Sequence, residues 1–188
     1  MSTRLEILTE ERSMEYFLRG LLPRVLPDEY VLDKNCYIHS HSGKSHLMRS
    51  IPKKMSAYPR FQDDVKVLIV HDQDSNDCYK LKTEIEALCD INIPHVIRIA
   101  CRELENWYLG DFEAIEKVFP QVKAKLFHKK AKYRNPDRLN GAEEMKKLTK
   151  TFSKTDTARK IAIHMNLRQN KSKSFLQLLQ GIRKLTTL

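Results

Sequence analysis

The chain has 188 residues, 41% of them hydrophobic, enough for one domain with a proper core and too few for several. No stretch approaches the ~18 consecutive apolar residues of a membrane span, and Met1-Ser2-Thr3-Arg4 leads into alternating sequence rather than a secretory leader. The net charge of +10 is unevenly placed: residues 121–188 carry 18 Lys and Arg against 4 Asp and Glu, or +14, which leaves −4 for residues 1–120. The expectation is a cytoplasmic protein without a membrane partner, whose acidic part could hold a metal and whose basic part could meet a polyanion. Lysines that simply solvate helix faces would give the same charge. Four scattered cysteines with no Cys-x-x-Cys pair argue against a thiolate zinc site or a redox motif.

In chain order, Arg4 to Glu10 reads as a short first strand. Met14, Phe17, Leu18, Leu21 and Leu22 follow at the spacing of one helix face, closed by Pro23. Tyr30 to Ile38 is a strand weakened by Asp33-Lys34-Asn35, Ser40 to Ser45 a loop, and Lys44 to Tyr58 a basic, partly helical stretch limited by Pro52. Val65 to Val70 is an apolar run bounded by polar residues, the signature of a strand buried on both faces. Cys78, Leu81, Ile85, Leu88 and Cys89 form another helical stripe capped by Asn76 or Asp77. His95 to Ala100 is a further strand, and Asp111 caps a helix over Phe112, Ile115 and Phe119.

Strands alternating with helices predict an α/β fold: a mostly parallel sheet of about four strands flanked by helices. Past Pro120 the strand signal ends. Lys123 to Asn140 reads as a long mobile loop over the site, and helices are expected at 143–150, 156–165 and around Phe175, Leu178, Leu179 and Ile182. Residues 1–120 are therefore the expected core, and 121–188 a basic loop and helical annex packed on it.

Three acidic groups follow strand ends: Glu10-Glu11, Asp72/Asp74 and Glu103/Glu105. Carboxyl ends of parallel strands share one edge, so these residues should converge there. In extended backbone Asp72 and Asp74 would point the same way and could reach one hard cation such as Mg2+ or Mn2+. Asp74-Ser75-Asn76-Asp77 could equally be a turn that caps the next helix. Lys44, Lys154, Lys171 and Lys173 are the basic residues nominated for phosphate or nucleic-acid contact. Ser172 and Ser174 mark a helix start that is either an anion site or a plain cap. The segment His39-Ser40-His41-Ser42-Gly43-Lys44-Ser45-His46 fails as a Walker A loop, since Ile38 stands where its first glycine belongs. His39 and His41 lack companion ligands elsewhere. Trp107 and Tyr108 have apolar neighbours and read as core rather than as base-stacking residues.

The order of elements resembles the TOPRIM superfamily. Leu8-Thr9-Glu10-Glu11-Arg12-Ser13-Met14 resembles its glutamate-bearing first motif and Val67 to Asp74 its Asp-x-Asp motif. Ser42-Gly43-Lys44-Ser45, Glu103 to Asp111 and Ser172-Lys173-Ser174-Phe175 extend the resemblance to a bacterial group of TOPRIM-like proteins over nearly the whole chain. Two positions depart: Glu11 stands where glycine is usual, and Met14 where a second acid is common.

The resemblance implies a Rossmann-like TOPRIM sheet with Glu10 as acid/base or metal glutamate, Asp72 and Asp74 as magnesium ligands, and Glu103 and Glu105 as candidates for a second metal. It implies a nuclease acting on DNA or RNA, related to the overcoming-lysogenisation-defect type, with an ATPase partner in phage defence. Two alternatives remain open. One is a non-catalytic nucleic-acid-binding or regulatory subunit with a degenerate site. The other is a haloacid-dehalogenase-like phosphatase using Asp72 as nucleophile, although Asn76 stands where Thr or Val is usual in that family.

Overall fold

The computed structural model describes residues 2–187. It is α/β and Rossmann-like, with four parallel strands: β1 (Thr3–Thr9), β2 (Cys36–Ser40), β3 (Asp64–Asp72) and β4 (His95–Ala100), in the order β2-β1-β3-β4. Parallel strands need crossover connections, and the helices that supply them cover both faces. α1 (Arg12–Leu21), α2 (Lys44–Ala57) and α3 (Cys78–Glu86) connect the strands. α4 (Glu105–Leu109), α5 (Phe112–Val118), α6 (Gly141–Thr149), α7 (Lys154–Ile161) and α8 (Lys173–Thr186) follow β4.

Side chains alternate along each strand and so split between two apolar layers. Leu5, Ile7, Leu68 and Val70 face a layer built by α1 and α4 to α8. Leu8, Val65, Val67 and Ile69 face α2 and α3. Registers of Thr9 with Val70 and of Asp72 with Ala100 bring the carboxyl ends of the three strands to one edge. Among the described residues no helix is long and apolar enough to cross a membrane.

Three local expectations are corrected. β2 begins only at Cys36, because Asp33 takes a left-handed turn (φ 60°) that ends any strand before it. α2 runs straight through Pro52. Burying Leu47, Ile51 and Met55 gains about 1.5–3 kcal/mol each, which outweighs the roughly 3 kcal/mol penalty of an internal proline. Residues 123–140 are no mobile loop. Phe127 stacks on Phe112 at 4.8 Å, Tyr133 packs edge-on to Phe112 at 4.7 Å, and the Tyr133 hydroxyl donates to Glu144 at 2.6 Å. Asn106 Nδ2 pins the segment further by donating to the carbonyls of Pro136 (2.6 Å) and Leu139 (2.8 Å). Isolated aromatics in a basic stretch carry no periodicity, so this packing left no pattern in the sequence.

The annex shares its core with the strands. Phe17 of α1 sits 5.5 Å from Trp107, 5.7 Å from Tyr108 and 6.3 Å from Phe175. Trp107 and Tyr108 are fully buried, as read from their neighbours. Residues on either side of 120 thus belong to one apolar cluster. Phe17→Ala should cost about 3–5 kcal/mol. Urea unfolding followed by circular dichroism and by Trp107 fluorescence should give one shared transition; a separate early transition of residues 121–188 would contradict the common core.

Candidate functional site

Glu10 follows β1 and Asp72 ends β3, but they leave the sheet on opposite faces. Continuing the Thr9–Val70 register pairs Glu10 with His71 on the α2–α3 side. Glu10 Oε2 lies 2.9 Å from His71 Nδ1 and accepts from the Asp72 amide at 3.3 Å. Gly43 (φ 94°) donates its amide to the Glu10 carbonyl at 3.0 Å, and the Lys44 amide bonds the carboxylate, which therefore fills the anion position at the start of α2. Burial would raise the Glu10 pKa, but His71 and the two amides outweigh it and hold Glu10 below the usual range, ionised. His71 is fully buried with Nε2 unpartnered. Sequence reasoning gave it no role; a lone histidine directly after the apolar run and beside two acids was the available signal.

On the other face Asp72 is 6% exposed, and its Oδ1 has no hydrogen-bond partner. Glu105 opens α4 in the same layer, 1% exposed, with both carboxylate oxygens unpartnered; the Tyr108 hydroxyl is unpartnered too. Burial, then the charges of Glu105, Glu10 and Glu11, push Asp72 well above the carboxylate range. Burial pushes Glu105 to about 7, against the pull of Lys154. Lys154 Nζ lies 3.4 Å from Glu11 Oε1, and the charges of Glu105, Glu11 and Asp72 overcome its burial to raise its pKa. Sequence reasoning nominated Lys154 for phosphate; the structure makes it the counter-charge of the acids.

Asp74 does not repeat the direction of Asp72. The strand ends at Asp72, and Asp74 is left-handed (φ 52°), so the two-residue alternation is broken. Asp74 is exposed on the rim, its pKa raised by partial burial and by Glu10. Its amide donates to the Arg102 carbonyl at 2.8 Å. Arg102 is also left-handed (φ 63°), and its amide donates to Gln73 Oε1 at 3.0 Å. Two non-glycine residues in this region, one after β3 and one after β4, mark a strained junction of the kind found at functional sites.

The other nominated residues separate. Glu103 Oε2 accepts from the Ala142 amide at 3.2 Å and so serves the start of α6. Asp77 caps α3 by accepting from Lys80, so the cap belongs to Asp77 and leaves Asp72 free of it. Lys44 Nζ donates to Asn76 Oδ1 at 3.1 Å. Lys171 donates to the His128 carbonyl at 2.9 Å, in a different place from the acids. Lys173 lines a cleft with Arg102 and Arg138. Ser172 is a plain cap, and Asp137 fills the anion position of α8 by accepting from the Ser174 amide at 2.9 Å. His39 lies 2.5 Å from Glu6, and His41 Nδ1 lies 2.8 Å from the Thr9 carbonyl.

Among the described residues no three Asp, Glu, His or Cys side chains already form a metal-holding group. The split explains this: Glu10 and His71 lie on one face, Asp72 and Glu105 on the other, and Asp74 on the rim. A hard cation nevertheless suits the three unpartnered oxygens of Asp72 and Glu105, which are buried, acceptor-only and mutually repulsive.

Because folded Glu105 holds its proton more tightly than the unfolded chain does, metal-free protein should lose stability as pH rises from the ordinary carboxylate range through about 7. The loss is roughly 3 kcal/mol. Glu105→Gln should remove that part of the slope, the burial of Asp72 supplying the rest, and leave the variant at least as stable as wild type at about pH 8 with metal chelated. Equal pH slopes in urea unfolding of the two proteins would refute the buried, proton-binding Glu105.

A protein-family model described as a domain of unknown function, DUF4276, matches residues 9–183. No curated protein and no solved structure matches the chain.

Proposed function

We propose that this chain, which belongs to the DUF4276 family, is a magnesium- or manganese-dependent nuclease that cleaves phosphodiester bonds in DNA or RNA at its acidic sheet edge. The observation that carries the reading is the pair Asp72 and Glu105: buried carboxylates at the carboxyl end of a parallel sheet, with three oxygens lacking any donor. Asp72 and Glu105 would hold the ion, with Asp74 reaching it from the rim. A divalent ion there would orient a phosphodiester and stabilise the charge that develops on it. Glu10, kept ionised by His71 and two amides, is a fixed anion rather than a proton donor. The Lys154 ammonium offers a positive charge beside the same carboxylates, and the basic residues 121–188 favour a polyanion. An ATPase partner and a role in phage defence follow from the TOPRIM resemblance as part of the same proposal.

One observation favours a second reading. Glu10 and Glu103 are both spent on helix starts, so a non-catalytic nucleic-acid-binding subunit needs no complete metal site. The phosphatase reading has less support, since Asn76 stands where Thr or Val is usual in that family.

Purified protein with magnesium or manganese should nick plasmid DNA or cut RNA. Asp72→Asn and Asp74→Ala should each lower the rate by about 100-fold or more while the fold survives. Glu103→Gln should stay within about threefold of wild-type activity and lose about 1 kcal/mol of stability, as expected of a cap. Wild type and Asp74→Ala that behave identically would end the catalytic reading. Magnesium-dependent stabilisation without cleavage would favour the binding subunit.

A further inference from the structure

The free edge of β4 borders a cleft of about 820 Å³ between α3 and α8. Tyr79 and Lys82 of α3 form one wall, Lys173 of α8 and Arg138 the other, with Arg102 and Gln73 at the end nearest the acids. Ile97 and Ile99 give it an apolar floor. Arg98 lies along the edge and is committed, its Nε donating to the Gln177 carbonyl at 2.7 Å and its Nη1 to Ile97 at 2.9 Å. Asp137 is the one carboxylate in the lining, and the start of α8 occupies it through Ser172 Oγ (2.5 Å) and the Ser174 amide (2.9 Å). What remains is a cationic wall opposite Tyr79, which is 85% exposed.

The cleft reaches the residues next to the proposed reaction site, Gln73 after β3 and Arg102 after β4. Asp74 donates its amide to the Arg102 carbonyl, and Gln73, which lines the cleft, accepts from the Arg102 amide. These bonds tie the Arg102 backbone to the Asp74 turn, while the Arg102 guanidinium donates to Asn140 Oδ1 through Nη1 and keeps its other N–H groups for a phosphate. A volume in the range of small-ligand pockets admits one backbone with splayed bases and excludes a duplex. Cations along one wall and an exposed aromatic on the other suit phosphates and a stacked base.

We propose that this cleft holds a single-stranded segment of nucleic acid, its phosphates on Arg102, Arg138 and Lys173 and one base against Tyr79, and leads it to Asp74. The inference rests on reading the acidic edge as a nucleic-acid-cleaving site. The test is fluorescence anisotropy of the full chain with metal chelated, using a labelled single strand of about a dozen nucleotides and its duplex.

Wild type should bind the single strand at least about tenfold tighter than the duplex. Lys173→Glu and Arg138→Glu should each weaken it about tenfold, and the loss of each phosphate contact should flatten the salt slope by about 0.7. Tyr79→Ala should weaken it about 5- to 100-fold. Arg102→Gly, which suits the left-handed backbone, should keep the fold and lose affinity. Lys53→Glu on the outer side of α2 should change nothing.

Duplex bound as tightly as single strand, or cleft variants within about twofold of wild type in a protein whose circular dichroism is intact, would overturn the inference while leaving magnesium-dependent nicking untouched. Tight, cleft-dependent binding of the single strand without cleavage would support it and remove the catalytic reading instead.

Discussion

Asp72 and Glu105 are carboxylates inside an apolar layer, and the surrounding structure answers to the difficulty of keeping them there. A buried carboxylate without donors either takes up a proton or needs a cation. Both groups have raised proton affinity, and Lys154, itself exposed to solvent, is the cation whose charge acts on both. Lys154 does not bridge them; its closest carboxylate is that of Glu11, so the demand for positive charge is only partly met. The unpartnered Tyr108 hydroxyl lies in the same layer, which makes it the least satisfied polar region of an otherwise well-bonded core.

The remaining acids near this edge show what satisfaction looks like. Glu10 accepts amides at α2, Glu103 at α6, Asp137 at α8, Asp77 at α3 and Asp111 at α5. Each places a negative charge against the positive end of a helix, a favourable arrangement that also leaves little of the carboxylate for a ligand. Helix starts thus sort the acids. Those that a short motif would group together divide into structural anions and two that stay unfulfilled.

The fold was legible because its signals are periodic. The apolar run of β3 and the stripes of α1, α3 and α8 fix strand, helix and buried face together, and the parallel alternation follows from their order. The convergence of Glu10, Asp72 and Glu105 at one edge followed from the same order. Which face each acid takes did not. The side of Glu10 depends on how far β1 alternation persists past Thr9, and that of Asp74 on a left-handed residue that aspartate tolerates without announcing it. His71 was hidden by its own burial, and Glu103 by a helix start nearly forty residues away in sequence. Contacts between distant segments, such as Phe127 on Phe112, leave no local pattern at all.

The junction of Asp74 and Arg102 joins these themes. A left-handed conformation costs an ordinary residue about 1–2 kcal/mol, and glycine would remove that cost at either position. The chain instead keeps an acid at the end of β3 and a base at the end of β4, and holds both turns with hydrogen bonds through Gln73 and between their backbones. Strain of this size persists only where neighbours over-determine the conformation. Its result is that a negative rim and a positive cleft meet across a single pair of strand ends. A relaxed turn at either position would not hold the ends of β3 and β4 in this pairing, so the strain and the meeting of opposite charges have one structural origin.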